Sequence, residues 1–161
     1  MGFTGLGVFD STIQKANIWL KDIGQLLHWE DRHHAYVALR AVLHALRDHL
    51  TLEETVQLAD QLPMLIRGLY FEGWRPSHHF SRLRKREDFL RNVRAHLNFL
   101  HEKPEVEIED IVHVIFWVLS KHVSFGEIEG VRQVLPKEIR GLWRPFPPGS
   151  AHQFLPLTGM P

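Results

Sequence analysis

Residues 41–70 read AVLHALRDHLTLEETVQLADQLPMLIRGLY, and residues 114–143 read VIFWVLSKHVSFGEIEGVRQVLPKEIRGLW. The two stretches align without a gap at a constant offset of 73 residues. A repeat of this length is typical of one supersecondary unit used twice, with each copy burying its apolar face against the other. The identical positions are Leu46/Leu119, His49/His122, Glu54/Glu127, Leu62/Leu135, Pro63/Pro136, Ile66/Ile139, Arg67/Arg140, Gly68/Gly141 and Leu69/Leu142.

Outward from the repeat, apolar spacing predicts a helix from about Phe9 to Leu27, with Asp10 or Ser11 as N-cap, and a second over 31–49. Thr51 and Glu54 form a capping box, and Pro63 begins a short helix that reaches about Phe71. The second copy repeats these signals after an entry helix over 89–100 and ends in a short helix through Trp143.

The stretch 108–119 is rich in β-branched residues and could be read as a buried strand. Its counterpart in the first copy contains Ala, Leu and Arg, which favour a helix, so the repeat predicts a helix in both places. The predicted fold is therefore all-α, with two tandem pseudo-symmetric four-helix units packed as one compact helical domain. We assign 1–74 to the first repeat, 75–86 to a basic linker, 87–144 to the second repeat and 145–161 to a Pro-rich tail that we expect to be disordered.

Composition limits the classes of function. The chain of 161 residues is 44% apolar and 24% charged, with no net charge at pH 7 and no cysteine. These values are ordinary for a soluble protein, exclude disulfides and thiolate metal sites, and give no global field for nucleic acid or a membrane. The start lacks a signal peptide pattern and no apolar run could span a bilayer, so we expect a cytoplasmic protein.

Two blocks of the first half carry a resemblance: AYVALRAVLHALR at 35–47 and LPMLIRGLYFEGW at 62–74. They resemble a bacterial family catalogued as domain of unknown function 2267, and residues 118–127 and 135–143 resemble the other half of that family. The resemblance covers roughly residues 9 to 143. It implies an all-helical bacterial protein and no particular activity.

The repeated polar residues permit two interpretations. His49 and His122 close the long helix of each half, where a cation bonds free carbonyls and meets the negative end of the helix dipole. Arg67 and Arg140 either form ion pairs with Glu54 and Glu127 or cradle one anion between the halves. The sequence therefore gives Arg67, Arg140, His49 and His122 as ligand or anion candidates.

The block Tyr70, Phe71, Glu72, Gly73, Trp74 occurs in full in the first half only. We take Tyr70, Phe71 and Trp74 as candidates for binding a partner, with a lid over one end of the bundle as the alternative. A partner anchor requires Trp74 to be substantially exposed.

Metal and catalytic motifs are weak. Asp31 with His34 and Asp110 with His113 show an i, i+3 spacing seen in di-iron bundles, but they occupy non-equivalent positions, and we assign no metal site and no cofactor. Nucleophile elbows, phosphate loops and dinucleotide fingerprints are absent. The basic segment near 75–86 is followed by acidic residues, which argues against nucleic-acid binding.

Two functions from different classes remain. The first is a non-enzymatic module that binds a protein partner or itself. The second is a sensor for a small ligand or anion, with its site between the two halves. A metal-dependent enzyme comes third, and the sequence identifies no catalytic residue.

Overall fold

The computed structural model describes residues 2–76, 85–98 and 106–144. The regular secondary structure of these residues is all helical and contains no strand, so the all-α prediction is confirmed, including a helix at 108–119. The predicted tail lies outside the described residues, as does most of the predicted linker. The helices are α1 Gly7–Leu27, α2 Arg32–Asp48, α3 Leu52–Asp60, α4 Met64–Phe71, α5 Arg86–Ala95, α6 Ile108–His122, α7 Phe125–Val134 and α8 Lys137–Arg140.

The caps predicted for α3 and α7 are confirmed. The hydroxyl of Thr51 accepts the Glu54 amide at 3.2 Å, and Ser124 accepts the Glu127 amide at 3.4 Å. Each bond satisfies one of the amides that a helix leaves without an internal partner at its start.

Several predicted helix ends are wrong. Helix α1 begins at Gly7 instead of near Asp10, because the Asp10 carboxylate accepts the amide and hydroxyl of Thr4 and does not cap the helix. Helix α5 ends at Ala95, earlier than position 100, and α8 ends at Arg140, earlier than Trp143. In both places the apolar spacing continues past the last helical turn, because Leu97, Leu142 and Trp143 are buried without being helical.

Backbone bonding recurs at the offset of 73. The amides of Arg67 and Arg140 donate to the carbonyls of Pro63 and Pro136, at 2.8 Å in both halves. Each proline lies immediately before its helix, with ψ near 150°. Pro63 was predicted to be the first residue of α4, but the helix begins one residue later, at Met64. The extended conformation before α4 and α8 therefore has the same cause in both copies.

The two halves interlock. Helix α1 packs on α6 as well as on α2, and α5 packs on α2 as well as on α6. The equivalent pairs α2–α6 and α3–α7 are also in contact. These reciprocal contacts fit a two-fold relation between the copies, with a shared core in place of two separate cores.

The core lies between the long helices. Leu46 and Leu119, which are equivalent in the repeat, are both fully buried. Phe116 of α6 stacks on Trp143 with ring centroids 4.2 Å apart, and the indole N–H of Trp143 donates to Ser120 at 2.8 Å. Burial of such aromatic side chains fixes the chain after α8 against α6.

Candidate functional site

His49 is a structural residue at the end of α2. Its side chain is almost fully buried, and its Nδ1–H donates to the Ala45 carbonyl at 2.8 Å. The ring meets Phe89 edge-on with centroids 5.2 Å apart. The bond to a carbonyl near the end of α2 agrees with the capping interpretation.

His122 occupies the equivalent position in the repeat, but its side chain contacts α1 and does not bond a carbonyl of its own helix. Its Nε2 lies 2.7 Å from the Asp22 carboxylate on α1, and Lys121 Nζ is 3.1 Å from the same oxygen. The ring stacks on Trp19 with centroids 5.1 Å apart. Burial raises the pKa of Asp22, but the hydrogen bonds from His122 and Lys121 outweigh it, so the pKa is below its ordinary value.

The ion pair expected between Arg67 and Glu54 is wrong. Arg67 donates from Nε to the Ala59 carbonyl at 2.9 Å and from Nη2 to the Leu62 carbonyl at 3.2 Å. The Glu54 carboxylate instead accepts the Thr51 hydroxyl at 2.9 Å. The carbonyls at the end of α3 lack partners within the helix, so they accept hydrogen bonds from the Arg67 guanidinium. The sequence had predicted the Glu54 carboxylate as the acceptor.

Arg140 repeats part of this arrangement. Its Nη2 donates to the Leu135 carbonyl at 3.3 Å, so the ion pair expected with Glu127 is wrong as well. The four ligand candidates do not meet at one site. Arg67 and His122 line two adjoining cavities along α1, whereas Arg140 and His49 line neither of them.

The aromatic block divides between core and surface. Tyr70 is fully buried, so it cannot form part of a partner surface, and burial raises the pKa of its hydroxyl. Phe71 and Trp74 are half-buried and their rings are 5.1 Å apart. The requirement that Trp74 be substantially exposed is therefore not met.

Arg47 of α2 fixes this block. Its Nη1 donates to the carbonyls of Tyr70 and Glu72, the latter at 2.9 Å. The guanidinium is almost fully buried, and it satisfies carbonyls at the end of α4 that the helix leaves open.

An apolar groove lies beside the block, between α1, α2 and α4, and the sequence did not reveal it. Its volume is about 340 Å³. Gly68 faces it, and a Cβ built there would meet nothing within 4 Å. The lining residues are Ala16, Leu20, Tyr36, Leu39, Leu65, Ile66, Gly68, Leu69 and Glu72.

An ion pair between Arg40 and Glu72 lies at the edge of the groove. Arg40 Nε donates to the Glu72 carboxylate at 2.7 Å, and this hydrogen bond holds the pKa of Glu72 below its usual value. Leu65 remains half-exposed at 50% of its surface. The groove thus offers apolar walls with a polar orienting element at its edge.

The metal hypothesis finds no geometric support. Within residues 2–76, 85–98 and 106–144, no group of three or more His, Asp or Glu side chains is placed to hold a metal ion. His34 lies 3.8 Å from Asp31. His113 lies 3.8 Å from Glu109, and that carboxylate also pairs with Arg86 and Arg144.

A family model matches residues 16–142, and its description is "Uncharacterized conserved protein (DUF2267)". The match covers most of the chain and all of the described helices except the first turns of α1. The chain belongs to the DUF2267 family. None of the curated proteins compared with the chain matches it.

The DUF2267 match contains every residue of the apolar groove and both arginine–carbonyl ties. It excludes Ser11, Thr12 and Lys15, which line one of the two cavities along α1. The family description assigns no activity. Among the described helices of this DUF2267 protein, none combines the length and apolar character needed to cross a membrane.

Proposed function

We propose that this protein is a non-enzymatic interaction module that binds an amphipathic helix of a protein partner in the groove between α1, α2 and α4. The observation that carries the proposal is the open apolar groove at Gly68, whose walls are leucines, Ala16, Ile66 and the Tyr36 ring. Apolar grooves between helices are a recurring recognition mode for amphipathic helices, which insert side chains spaced by three or four residues.

The chemistry of the groove supports a peptide partner. Leu65 keeps half of its surface exposed, so a partner would bury apolar area that the isolated chain leaves in water. Arg40 and Glu72 give the edge one positive and one negative group, which would orient polar residues that flank the inserted side chains.

The test fills the groove without changing the core. Gly68→Leu places a branched side chain in space that is empty, and leucine favours a helix more than glycine does. We expect amphipathic helical peptides selected from a display library against the full chain to bind, and Gly68→Leu to weaken them at least tenfold. Binding is measured by fluorescence anisotropy.

The matched control is Gly130→Leu, because Gly130 is exposed in the middle of α7 and also has open space around a built Cβ. It should leave peptide affinity unchanged. The proposal fails if selected peptides bind Gly68→Leu as well as the native chain, or if the library yields no binder.

A further inference from the structure

A second candidate site lies along α1 and is independent of the apolar groove. Two cavities of about 350 and 500 Å³ adjoin there and share Lys15, Leu62 and Pro63. We call them together the α1 cleft. The first also has Trp19 and His122 among its lining residues; the second includes Ser11, Thr12, Met64 and Arg67.

The cleft is lined mainly by the first half of the chain, with one residue from the second half. Lys15 comes from α1, Arg67 from α4 of the first half, and His122 from the end of α6 in the second half. Three basic side chains from three helices therefore line the two adjoining cavities, and Lys15 lines both of them. No aspartate or glutamate is among the residues that line it.

Arg67 is the fixed cation of the α1 cleft. Its bonds to the Ala59 and Leu62 carbonyls hold the planar guanidinium in one orientation and leave Nη1 without a bond to any described residue. Within the described residues, no carboxylate lies within ion-pair distance of Arg67. Backbone carbonyls accept its hydrogen bonds but carry no net charge, so the positive charge of Arg67 has no counter-charge among these partners.

Asp22, which contacts His122 of the cleft, already has two partners. Its carboxylate lies 2.7 Å from His122 Nε2 and 3.1 Å from Lys121 Nζ. Among the residues that the structure describes, no carboxylate lines the side of the cleft that includes Lys15 and Arg67.

We propose that the α1 cleft binds a small organic anion, with a phosphate or carboxylate group between Lys15 and Arg67. The hydroxyl of Ser11 is available as a further donor, and the apolar walls formed by Ile18 and Leu62 take the remainder of the molecule. Guanidinium and ammonium groups are the donors that proteins use for phosphate and carboxylate, and a cleft with low-dielectric walls strengthens that attraction.

The test is an NMR titration of the full chain with phenyl phosphate, benzoate and inorganic phosphate. We expect saturable amide shifts confined to residues of the α1 cleft, with Lys15→Gln and Arg67→Gln each weakening affinity at least tenfold. Stronger binding of phenyl phosphate or of benzoate identifies the head group, and inorganic phosphate reports what the head group contributes alone.

Two matched controls isolate the cleft. Arg140→Gln removes an equivalent arginine–carbonyl bond outside the cleft, and Lys21→Gln removes a lysine on the same helix. Both should leave affinity within twofold. If Arg67→Gln does not fold, Lys15→Gln carries the test, because Lys15 is an exposed residue. Absence of saturation with all three probes, or equal losses in the controls, overturns the proposal.

Discussion

At the residue scale, polar side chains hold the helix ends through both short-range and long-range bonds. Thr51 and Ser124 cap α3 and α7 through bonds that lie within four residues of sequence. Arg67 bonds carbonyls at the end of α3, whereas the Glu54 carboxylate of that helix bonds Thr51. The partner of Arg67 depends on the angle between α3 and α4, and no residue pattern encodes that angle directly.

Two buried histidines make stability depend on pH. Burial lowers the pKa of His44 to about 4, against a bond to the Leu69 carbonyl that raises it, and Arg47, Arg40 and His96 lower it further. Burial also lowers the pKa of His113 to about 4, with Arg144 and Arg86 acting in the same direction and Glu109 opposing them.

We expect the free energy of unfolding to fall between pH 6.5 and pH 4. As the pH falls, these histidines are protonated in the unfolded chain near pH 6.5, but in the folded chain only near pH 4. Acid therefore favours unfolding, and the contribution of the two neutral histidines to the free energy of unfolding is fully present above pH 6.5. At pH 5 the loss should be about 1–2 kcal/mol for each histidine. Urea denaturation at pH 7.5 and pH 5 measures it, and the double variant His44→Gln/His113→Leu should show a smaller difference. An unchanged difference in that variant would contradict the assignment.

Two glycines should respond oppositely to alanine. A Cβ at Gly24 would lie 2.9 Å from the Trp29 carbonyl oxygen, so Gly24→Ala should lower the free energy of unfolding by about 1–3 kcal/mol. A Cβ at Gly68 meets open space, so Gly68→Ala should raise it by about 0.5–1 kcal/mol through helix propensity. Chemical denaturation of both variants is the measurement. A rise in both would show that the close approach at Gly24 is relieved, and a fall in both would contradict the open space at Gly68.

At the element scale, the repeat predicted which helices exist better than how their ends are held. Positions 23 residues apart are joined in both halves: Arg47 bonds the Tyr70 carbonyl, and the Trp143 indole bonds Ser120. The bond joins equivalent positions in the two copies, but different chemical groups form it. The sequence identity between the copies therefore did not reveal it. The groove at Gly68 was hidden for a related reason, since it depends on how closely α1 and α4 approach.

Removing the buried guanidinium should loosen the end of α4. Arg47→Met keeps similar length but leaves the carbonyls of Tyr70 and Glu72 without their donor, and we expect a loss of about 1–3 kcal/mol in unfolding free energy. Amide hydrogen exchange should accelerate most at 70–74. Ser120→Ala, at the equivalent position, should leave exchange at 70–74 unchanged, and uniform acceleration in Arg47→Met would instead indicate a global effect.

At the scale of the whole molecule, the central claim is that two copies of one unit interlock into a single core. Helix α1 packs on α6 of the other half and α5 packs on α2, so each half supplies part of the surface that buries the other. The length of the repeat predicted an interface between the two halves. It did not predict that α1 and α5 would each pack on the long helix of both halves, because that depends on the tertiary arrangement.

The most direct test is the folding of the halves apart and together. Fragments 1–76 and 85–161 are studied by far-ultraviolet circular dichroism, separately and mixed in equal amounts. Each alone should show low helicity and no cooperative thermal transition, because its apolar faces lack their partners, and the mixture should regain the helicity and cooperative melting of the intact chain. Cooperative melting of either fragment alone, with native helicity, would contradict the interlocked core.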